Sequence, residues 1–178
     1  MGNAVEFGGS GRTRILVEGA LCVALSVVLS NFRLFRMPQG GSVTLDMAPL
    51  FFFAYRHGFK WGVTAGAISG IFQLIFGGYV AHPAQAFLEY PAAYAMLGSA
   101  GIFGRDIKGR VAGTLVASAL RLACHVLAGV IFFAAYAPEG MNVWLYSTVY
   151  NGSYIVPATL ISAGAALILW RRFPEPRL

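Results

Sequence analysis

Long apolar segments with charged residues at their ends are the feature that most limits how this chain can fold. Such segments recur from residue 15 to residue 170, and their apolar residues form blocks rather than the alternation of a half-buried strand. Hydrophobic residues make up 57% of the 178 residues and charged ones 11%, whereas soluble domains have about 45–50% and about 25%. Most of the surface is therefore expected to face lipid, which excludes an ordinary soluble domain.

A chain of this length has room for about six membrane-spanning helices. We predict them at 15–32, 46–55, 59–76, 84–102, 110–136 and 142–170. The second segment is too short to cross alone, so we expect it to tilt, to be extended by flanking residues or to be shielded by its neighbours. The predicted fold is an all-α membrane protein, a compact bundle of six transmembrane helices over 12–173, with tails at 1–11 and 174–178.

The positive charges predict how these helices are oriented. Most of the 13 Lys and Arg residues lie at alternate ends of the apolar segments, and the positive-inside rule places such clusters in the cytoplasm. Arg33 and Arg36 are the exceptions, in a loop on the opposite side that Pro38 keeps from being helical. We therefore expect cytoplasmic termini and an external loop over 33–42. The net charge of +6 then reflects topology, and no nucleic-acid partner is expected.

A few polar residues interrupt the apolar helices: Glu89, Arg121, His125 and Asn151. An ionisable group inside a membrane costs roughly 2.5–3.5 kcal/mol on insertion scales and marks either a functional interior or a paired structural site. By their places along the predicted helices, most of these residues lie in the outer half. We therefore predict a polar pocket that faces outward beneath the loop 33–42.

The fifth predicted helix suggests the shape of that pocket. Arg121, His125, Gly129 and Phe133 recur every four residues and form one stripe. A glycine between an imidazole and an aromatic ring leaves a hollow that suits a flat heterocycle. Tyr146, Tyr150 and Asn151 lie in the first three turns of the sixth helix, at the same depth.

Simpler roles remain open for each of these residues. His125 could donate to a carbonyl of a neighbouring helix, and Glu89 could be a structural partner of Arg121. Tyrosines near the external ends, Tyr79 and Tyr146 among them, could belong to the interfacial aromatic belt. An intramembrane enzyme that uses Glu89 and His125 as acid and base is less favoured, because no nucleophile or metal-ligand cluster accompanies them.

Three motifs carry a resemblance to a known family. Glu89-Tyr90-Pro91, the segment 121–133 and the segment 144–153 resemble the thiamine-binding S components (ThiT type) of energy-coupling factor (ECF) transporters. The resemblance extends from Arg14 to Trp170. It implies a six-helix protein of a prokaryotic plasma membrane that binds thiamine from outside. Uptake would be powered by a separate module, a membrane coupling protein with two cytosolic ATPases.

The resemblance also implies roles for site residues. Glu89, His125 and Asn151 would hold the aminopyrimidine, with Tyr90 and Tyr146 beside it, Gly129 would give clearance, and Phe133 would stack on the thiazolium. A cation is attracted to an aromatic face, and more weakly to Phe than to Trp. We expect Trp in such members at Phe133 and in the first external loop, where this chain has only Phe35. The substrate-binding set is therefore Glu89, Tyr90, His125, Gly129, Phe133, Tyr146, Asn151, Tyr79 and Phe35.

The same resemblance implies a docking face on the first helix. Ala20 and Ala24, with Gly19 beside them, match its small-residue pattern, although such residues serve packing inside one subunit equally well. The chain has no Gly-x-x-x-x-Gly-Lys-Ser/Thr element, so we expect it to hydrolyse no ATP. Cys22 and Cys124 lie within apolar helices, with no second Cys or His at metal-ligand spacing, so we expect no metal site, and we expect no cofactor. An S component for another small heterocyclic vitamin or a thiamine precursor is the alternative function.

Overall fold

The computed structural model describes residues 11–173. The predicted tails lie outside this range, apart from Gly11. The helices are α1 (Gly11–Ser30), α2 (Met47–Ile75), α3 (Pro83–Phe87), α4 (Ala93–Met96), α5 (Ile107–Phe132) and α6 (Val143–Arg172). A π-helical turn (Leu88–Ala92) joins α3 to α4, and 3-10 helices follow α4 (Leu97–Gly101) and α5 (Ala134–Tyr136). Between α1 and α2, β1 (Phe35–Arg36) pairs antiparallel with β2 (Ser42–Val43) in a small hairpin.

The segments predicted at 46–55 and 59–76 both lie within α2, where Gly58 interrupts the helix. Its φ of 81° and ψ of −176° are not helical, and glycine adopts positive φ at no steric cost. Almost every residue of the first part, 47–55, is buried. Of the three possibilities that the sequence left open for this short segment, shielding by its neighbours is therefore the one observed.

Gly62, Gly66 and Gly70 of α2 pack against the helical run from α3 to the 3-10 helix that follows α4. A side-chain carbon added at Gly66 would collide with the carbonyl oxygen of Tyr94, and one added at Gly70 with that of Tyr90. Small residues spaced by four allow this close approach of membrane helices. This glycine face of α2 is therefore a packing face.

An ion-pair cluster joins three helices at one end of the bundle. The Glu18 carboxylate in α1 lies 3.2 Å from Arg14 Nε, 3.0 Å from Arg56 Nη2 and 2.5 Å from His57 Nε2. Arg56 also donates to the carbonyl oxygen of Phe173 at 2.6 Å. The start of α1, the break in α2 and the end of α6 therefore lie together. This is the end to which the sequence analysis assigns the cytoplasmic charges.

The helix ends differ from the predicted ones by a few residues. α1 begins at Gly11 and ends at Ser30, and α5 ends at Phe132 instead of Tyr136. Phe133 has left the helix, with φ of −126° and ψ of 21°. The regular stripe predicted along the fifth helix therefore stops at Gly129, and Phe133 reaches the outer end by a local turn.

Three of the helices, α1, α5 and α6, are long and apolar enough to cross a membrane. Apart from the two-residue strands of the hairpin, the regular structure of the described chain is helical. The fold is thus an all-helical membrane protein, whose hairpin, with the turns after α2 and α5, lies at the end opposite the Glu18 cluster.

Candidate functional site

Two adjoining cavities open beneath the hairpin, in the region where the sequence predicts a pocket. One, of about 270 Å³, is lined by Arg33, Arg121 and His125 and is called here the arginine chamber. The other, of about 380 Å³, is lined by Gly129, Phe133, Tyr146 and Asn151 and is called the aromatic chamber. Residues on the boundary line both chambers: Arg36, Gly40, Gly41, Tyr79, Glu89, Tyr90 and Tyr154. Their combined size is typical of a small-molecule site.

Glu89 stands on the boundary between the chambers, in the π-helical turn. Pro91 has no N–H to donate, and a π turn absorbs that irregularity; such turns often occur at functional sites. Gln85 donates its side-chain amide to the Glu89 carboxylate, and His125 Nδ1 lies 3.7 Å from the other oxygen. Within the described residues the side chain that faces this carboxylate oxygen is therefore His125 and not Arg121.

His125 is buried on α5 and presents one ring edge to protein groups. Its Nδ1 lies 3.5 Å from the hydroxyl of Tyr154, whose ring meets the imidazole edge-on with centroids 6.2 Å apart. The other ring nitrogen, Nε2, is buried and has no hydrogen-bond partner in the described part of the chain. The simpler role, donation to a carbonyl of a neighbouring helix, is therefore not observed.

Asn151 and Gly129 lie where α5 packs against α6. The Asn151 side-chain amide donates to the carbonyl oxygen of Ser147 at 2.9 Å, and its oxygen accepts from the Tyr154 hydroxyl at 2.7 Å. A side-chain carbon at Gly129 would collide with the Ser147 hydroxyl. The space that the sequence analysis assigns to a ligand at Gly129 is thus filled by Ser147, although Gly129 still lines the aromatic chamber.

Aromatic rings form the outer rim of the aromatic chamber. Phe133 lies between Tyr79 and Tyr136, with ring centroids 6.3 Å and 6.1 Å away. Tyr146 stacks on Tyr150 at 5.8 Å. Tyrosine and phenylalanine faces arranged in this way offer a flat apolar surface with negative potential, suited to a planar cation.

The hairpin covers both chambers, and Tyr150 of α6 makes two hydrogen bonds to the turn of the hairpin. The Tyr150 hydroxyl accepts a hydrogen bond from the backbone N–H of Gln39 at 2.9 Å and donates to the carbonyl oxygen of Gly40 at 2.8 Å. Gly41, with φ of 84°, lies so close to the Tyr154 ring that a side-chain carbon there would be 2.5 Å from it. The loop 33–42 is therefore an ordered cover over the two chambers.

Phe35 is the predicted site residue that the structure does not bring into either chamber. It lies in β1 and is 60% exposed, whereas the next residue, Arg36, lines both chambers. Successive side chains of a strand point to opposite faces, so an inward Arg36 turns Phe35 outward. The alternation of inward and outward side chains in this short strand was not predicted from the sequence of the loop.

A buried polar network beneath the chambers was also missed. Tyr94 donates to the carboxylate of Asp46, which Thr44 also contacts, and Gln73 lies 2.6 Å from the Tyr94 hydroxyl. The guanidinium of Arg121 lies 4.0 Å above the Tyr94 ring. Asp46 was the available signal, because a carboxylate that enters an apolar segment needs a partner.

The two predicted docking residues lie elsewhere, in an apolar groove of about 520 Å³ between α1 and α2. Ala20 and Ala24 are exposed on α1 and line the groove together with Gly19. The facing wall is formed by larger apolar residues, Phe53, Trp61, Ile68 and Phe72 of α2 and Phe76 directly after it. The groove carries almost no polar surface, so only shape and apolar contact can act there.

The fold and the site together define a class: a helical membrane protein that encloses a small, partly polar chamber under an ordered cover. The family model described as "Thiamine transporter protein (Thia_YuaJ)" matches residues 16–177. The chain belongs to this family of thiamine transporter proteins. Its relatives are named as transporters, in agreement with the prediction that the chain is not an enzyme.

Individual relatives support the same assignment. The chain is 37% identical over 176 residues to the "Thiamine transporter ThiT" of Bacillus subtilis (strain 168), covering 90% of this chain and 92% of that protein. It is 29% identical over 178 residues to the protein of the same name from Lacticaseibacillus paracasei, covering 90% and 89%.

Solved structures are similar as well. ThiT from Listeria monocytogenes superposes with a TM-score of 0.83 at 29% identity, covering 93% of this chain and 97% of that one. The S component of a bacterial ECF transporter shares the fold, with a TM-score of 0.64 at 16% identity over 90% and 95% of the two chains.

Proposed function

We propose that the chain is the substrate-capture (S) subunit of an ECF-type transporter and binds thiamine from the outside. The observation that carries the proposal is the approach of Glu89 to His125, at 3.7 Å, on the wall of the arginine chamber. The aromatic chamber adjoins it at Glu89, and the chain belongs to the thiamine transporter family. An aminopyrimidine needs paired donors and acceptors, and a thiazolium needs a negative or aromatic surface. The chambers offer both.

The predicted residues that line the chambers each have a part in this proposal. Glu89 and His125 hold the aminopyrimidine edge through the carboxylate and the imidazole ring. Asn151 contributes to the same edge by exchanging its contact with Ser147 or Tyr154. Tyr90, Tyr146 and Tyr79 form the walls, Gly129 lets α6 approach, and Phe133 stacks on the thiazolium. Phe35 faces outward, so it takes no part in the proposed binding.

The membrane arrangement follows from the same proposal. The protein crosses the plasma membrane six times as a multi-pass bundle, with both termini in the cytoplasm, and the hairpin faces outward. The Glu18 cluster then lies at the cytoplasmic surface, as the positive-inside rule favours. The count of six is supported by the interruption at Gly58, which divides α2 into two helical parts.

We propose that energy comes from other subunits, namely a membrane coupling protein and two cytosolic ATPases. The groove lined by Ala20 and Ala24 is the proposed docking face for the coupling protein, because small residues let a partner helix approach closely. The chain itself uses neither ATP nor a cofactor.

Titration of the purified protein with thiamine tests the proposal. We expect saturable binding and a thiamine-dependent rise in thermal stability, because a ligand that binds only the folded state stabilises it. Riboflavin and the separate pyrimidine and thiazole halves of thiamine form the competition panel. Tighter binding of another vitamin, or no binding of thiamine by a folded sample, would contradict the proposal.

A further inference from the structure

The charges around the chambers do not match a ligand that is only a cation. Three guanidinium groups, those of Arg33, Arg36 and Arg121, line the arginine chamber, and Glu89 is the carboxylate that lines it among the described residues. A single positive charge placed in this chamber would meet more like charge than opposite charge. The wall therefore indicates that a negative group also belongs to the occupant.

Two of the three guanidinium groups lack a partner in the protein. Arg121 is balanced by the Tyr94 ring 4.0 Å away and by the nearby Asp46, which Tyr94 contacts. For Arg33 and Arg36 the structure gives no hydrogen bond and no ion pair within residues 11–173. Their charge is therefore available at the mouth of the chamber.

The position of this arginine pair is also unusual for the topology. Among the described Lys and Arg residues, Arg33 and Arg36 are the two that lie in the turns and hairpin at the outer end, against the positive-inside rule. Both line the arginine chamber, and Arg36 lines the aromatic chamber too. These two arginines depart from the general charge pattern and line the same cavity. Their position therefore indicates a binding role at that cavity.

We propose that Arg33 and Arg36 form a phosphoryl subsite, which binds the dianion of a phosphate group beside the ring-binding chamber. Guanidinium groups bind phosphate through parallel charge-assisted hydrogen bonds. The group is either the phosphate ester of a phosphorylated ligand or a free phosphate bound next to the unesterified ligand. This inference rests on the proposed function, since the ring part of the ligand is taken to be thiamine.

The test compares thiamine with thiamine monophosphate in the wild-type protein and in the double variant Arg33→Gln/Arg36→Gln. We expect the double variant to lose about tenfold or more in monophosphate affinity, the loss typical of a hydrogen bond to a charged group. Thiamine, as a cation, should bind the variant at least as tightly as the wild type. A misfolded variant would lose affinity for both ligands. Loss of monophosphate affinity with thiamine affinity retained therefore excludes misfolding.

Two controls sharpen the result. Arg171→Gln removes the same charge from an exposed site at the other end and should leave the affinity ratio of the two ligands unchanged. Arg36→Lys keeps the charge and should retain part of the monophosphate affinity. Raising the salt concentration should weaken monophosphate binding more than thiamine binding, because exposed charges are screened.

A further arm separates the two sources of phosphate. If the subsite serves free phosphate, inorganic phosphate raises the thiamine affinity of the wild type but not that of the double variant; if it serves the ester, this effect is absent and the monophosphate loss remains. An unchanged affinity ratio in the double variant, with no effect of inorganic phosphate, would overturn the subsite. Failure of thiamine to bind the folded wild type would instead overturn the proposed function.

Discussion

The two chambers under the hairpin and the groove between α1 and α2 differ in the chemistry of their walls. The paired chambers under the hairpin are lined by carboxylate, imidazole, guanidinium and hydroxyl groups. The groove between α1 and α2, of about 520 Å³, is lined almost entirely by hydrocarbon. Directed hydrogen bonds and charges let a cavity choose among ligands, whereas an apolar groove selects only by shape. This difference in wall chemistry favours a ligand site in the chambers and an apolar contact surface in the groove.

The two regions also differ in what holds them in place. The wall of the chambers that carries Glu89 and Tyr94 is positioned by backbone contact with the glycine face of α2. The groove depends on small residues on one wall, Ala20 and Ala24, opposite large ones on the other. Substitutions can therefore damage one region and spare the other.

The largest expected effect concerns the acid and the imidazole. Glu89→Gln and His125→Ala should each lower thiamine affinity by about ten- to a hundredfold, because each removes a hydrogen bond to a charged or polar ligand edge, worth about 1.5–3 kcal/mol. Titration in detergent measures the change. Glu139→Gln, an exposed acid at the same end, is the matched control. Wild-type affinity in both site variants would remove them from the binding site.

The next largest effect is expected on the stability of the chamber wall that packs against the glycine face of α2. Gly66→Ala should lower the free energy of unfolding by about 1–3 kcal/mol, the usual cost of overpacking, because the added carbon would collide with the Tyr94 carbonyl. Gly152→Ala is the control, since that position on α6 has open space around it and alanine favours a helix. Thermal unfolding compares the two. Equal stability of both variants would show that the glycine face is not under steric constraint.

A smaller, several-fold effect is expected from filling the groove. Ala20→Leu and Ala24→Leu should reduce thiamine uptake by cells and co-purification with the coupling protein, because larger side chains keep a partner helix away. Thiamine binding by the isolated subunit should persist, since Ala20 and Ala24 line neither chamber. Ala119→Leu, at an exposed position of α5, serves as the control. A parallel loss of binding and uptake would mean that the groove serves internal packing.

The candidate site could be predicted from the sequence because its residues are exceptions within apolar helices. Glu89, His125 and Asn151 stand out against lipid-facing neighbours, and the helical period already places His125 and Gly129 on one face. These features depend only on local spacing. The family motif rests on the same residues.

The features that sequence reasoning missed depend on contacts between distant segments. The pairing of Asp46 with Tyr94 joins residues 48 positions apart, and the inward turn of Arg36 depends on a two-residue strand. The close contact of Gly129 in α5 with the Ser147 hydroxyl in α6 depends on how the two helices pack. None of these has a periodic signal along the chain, so only the assembled fold reveals them.

The smallest expected effect concerns the cover that distinguishes the chambers from the open groove. Tyr150→Phe removes two hydrogen bonds that tie Gln39 and Gly40 to α6, each worth about 0.5–1.5 kcal/mol. The hairpin should then open more often, and thiamine should dissociate a few times faster, as stopped-flow fluorescence can measure. Ser153→Ala, whose hydroxyl is 3.9 Å from the hairpin residue Met37, should change the rate less, because a contact to sulfur at that distance is weak. An unchanged rate in Tyr150→Phe would mean that packing of Gly41 on Tyr154 holds the cover without this hydroxyl.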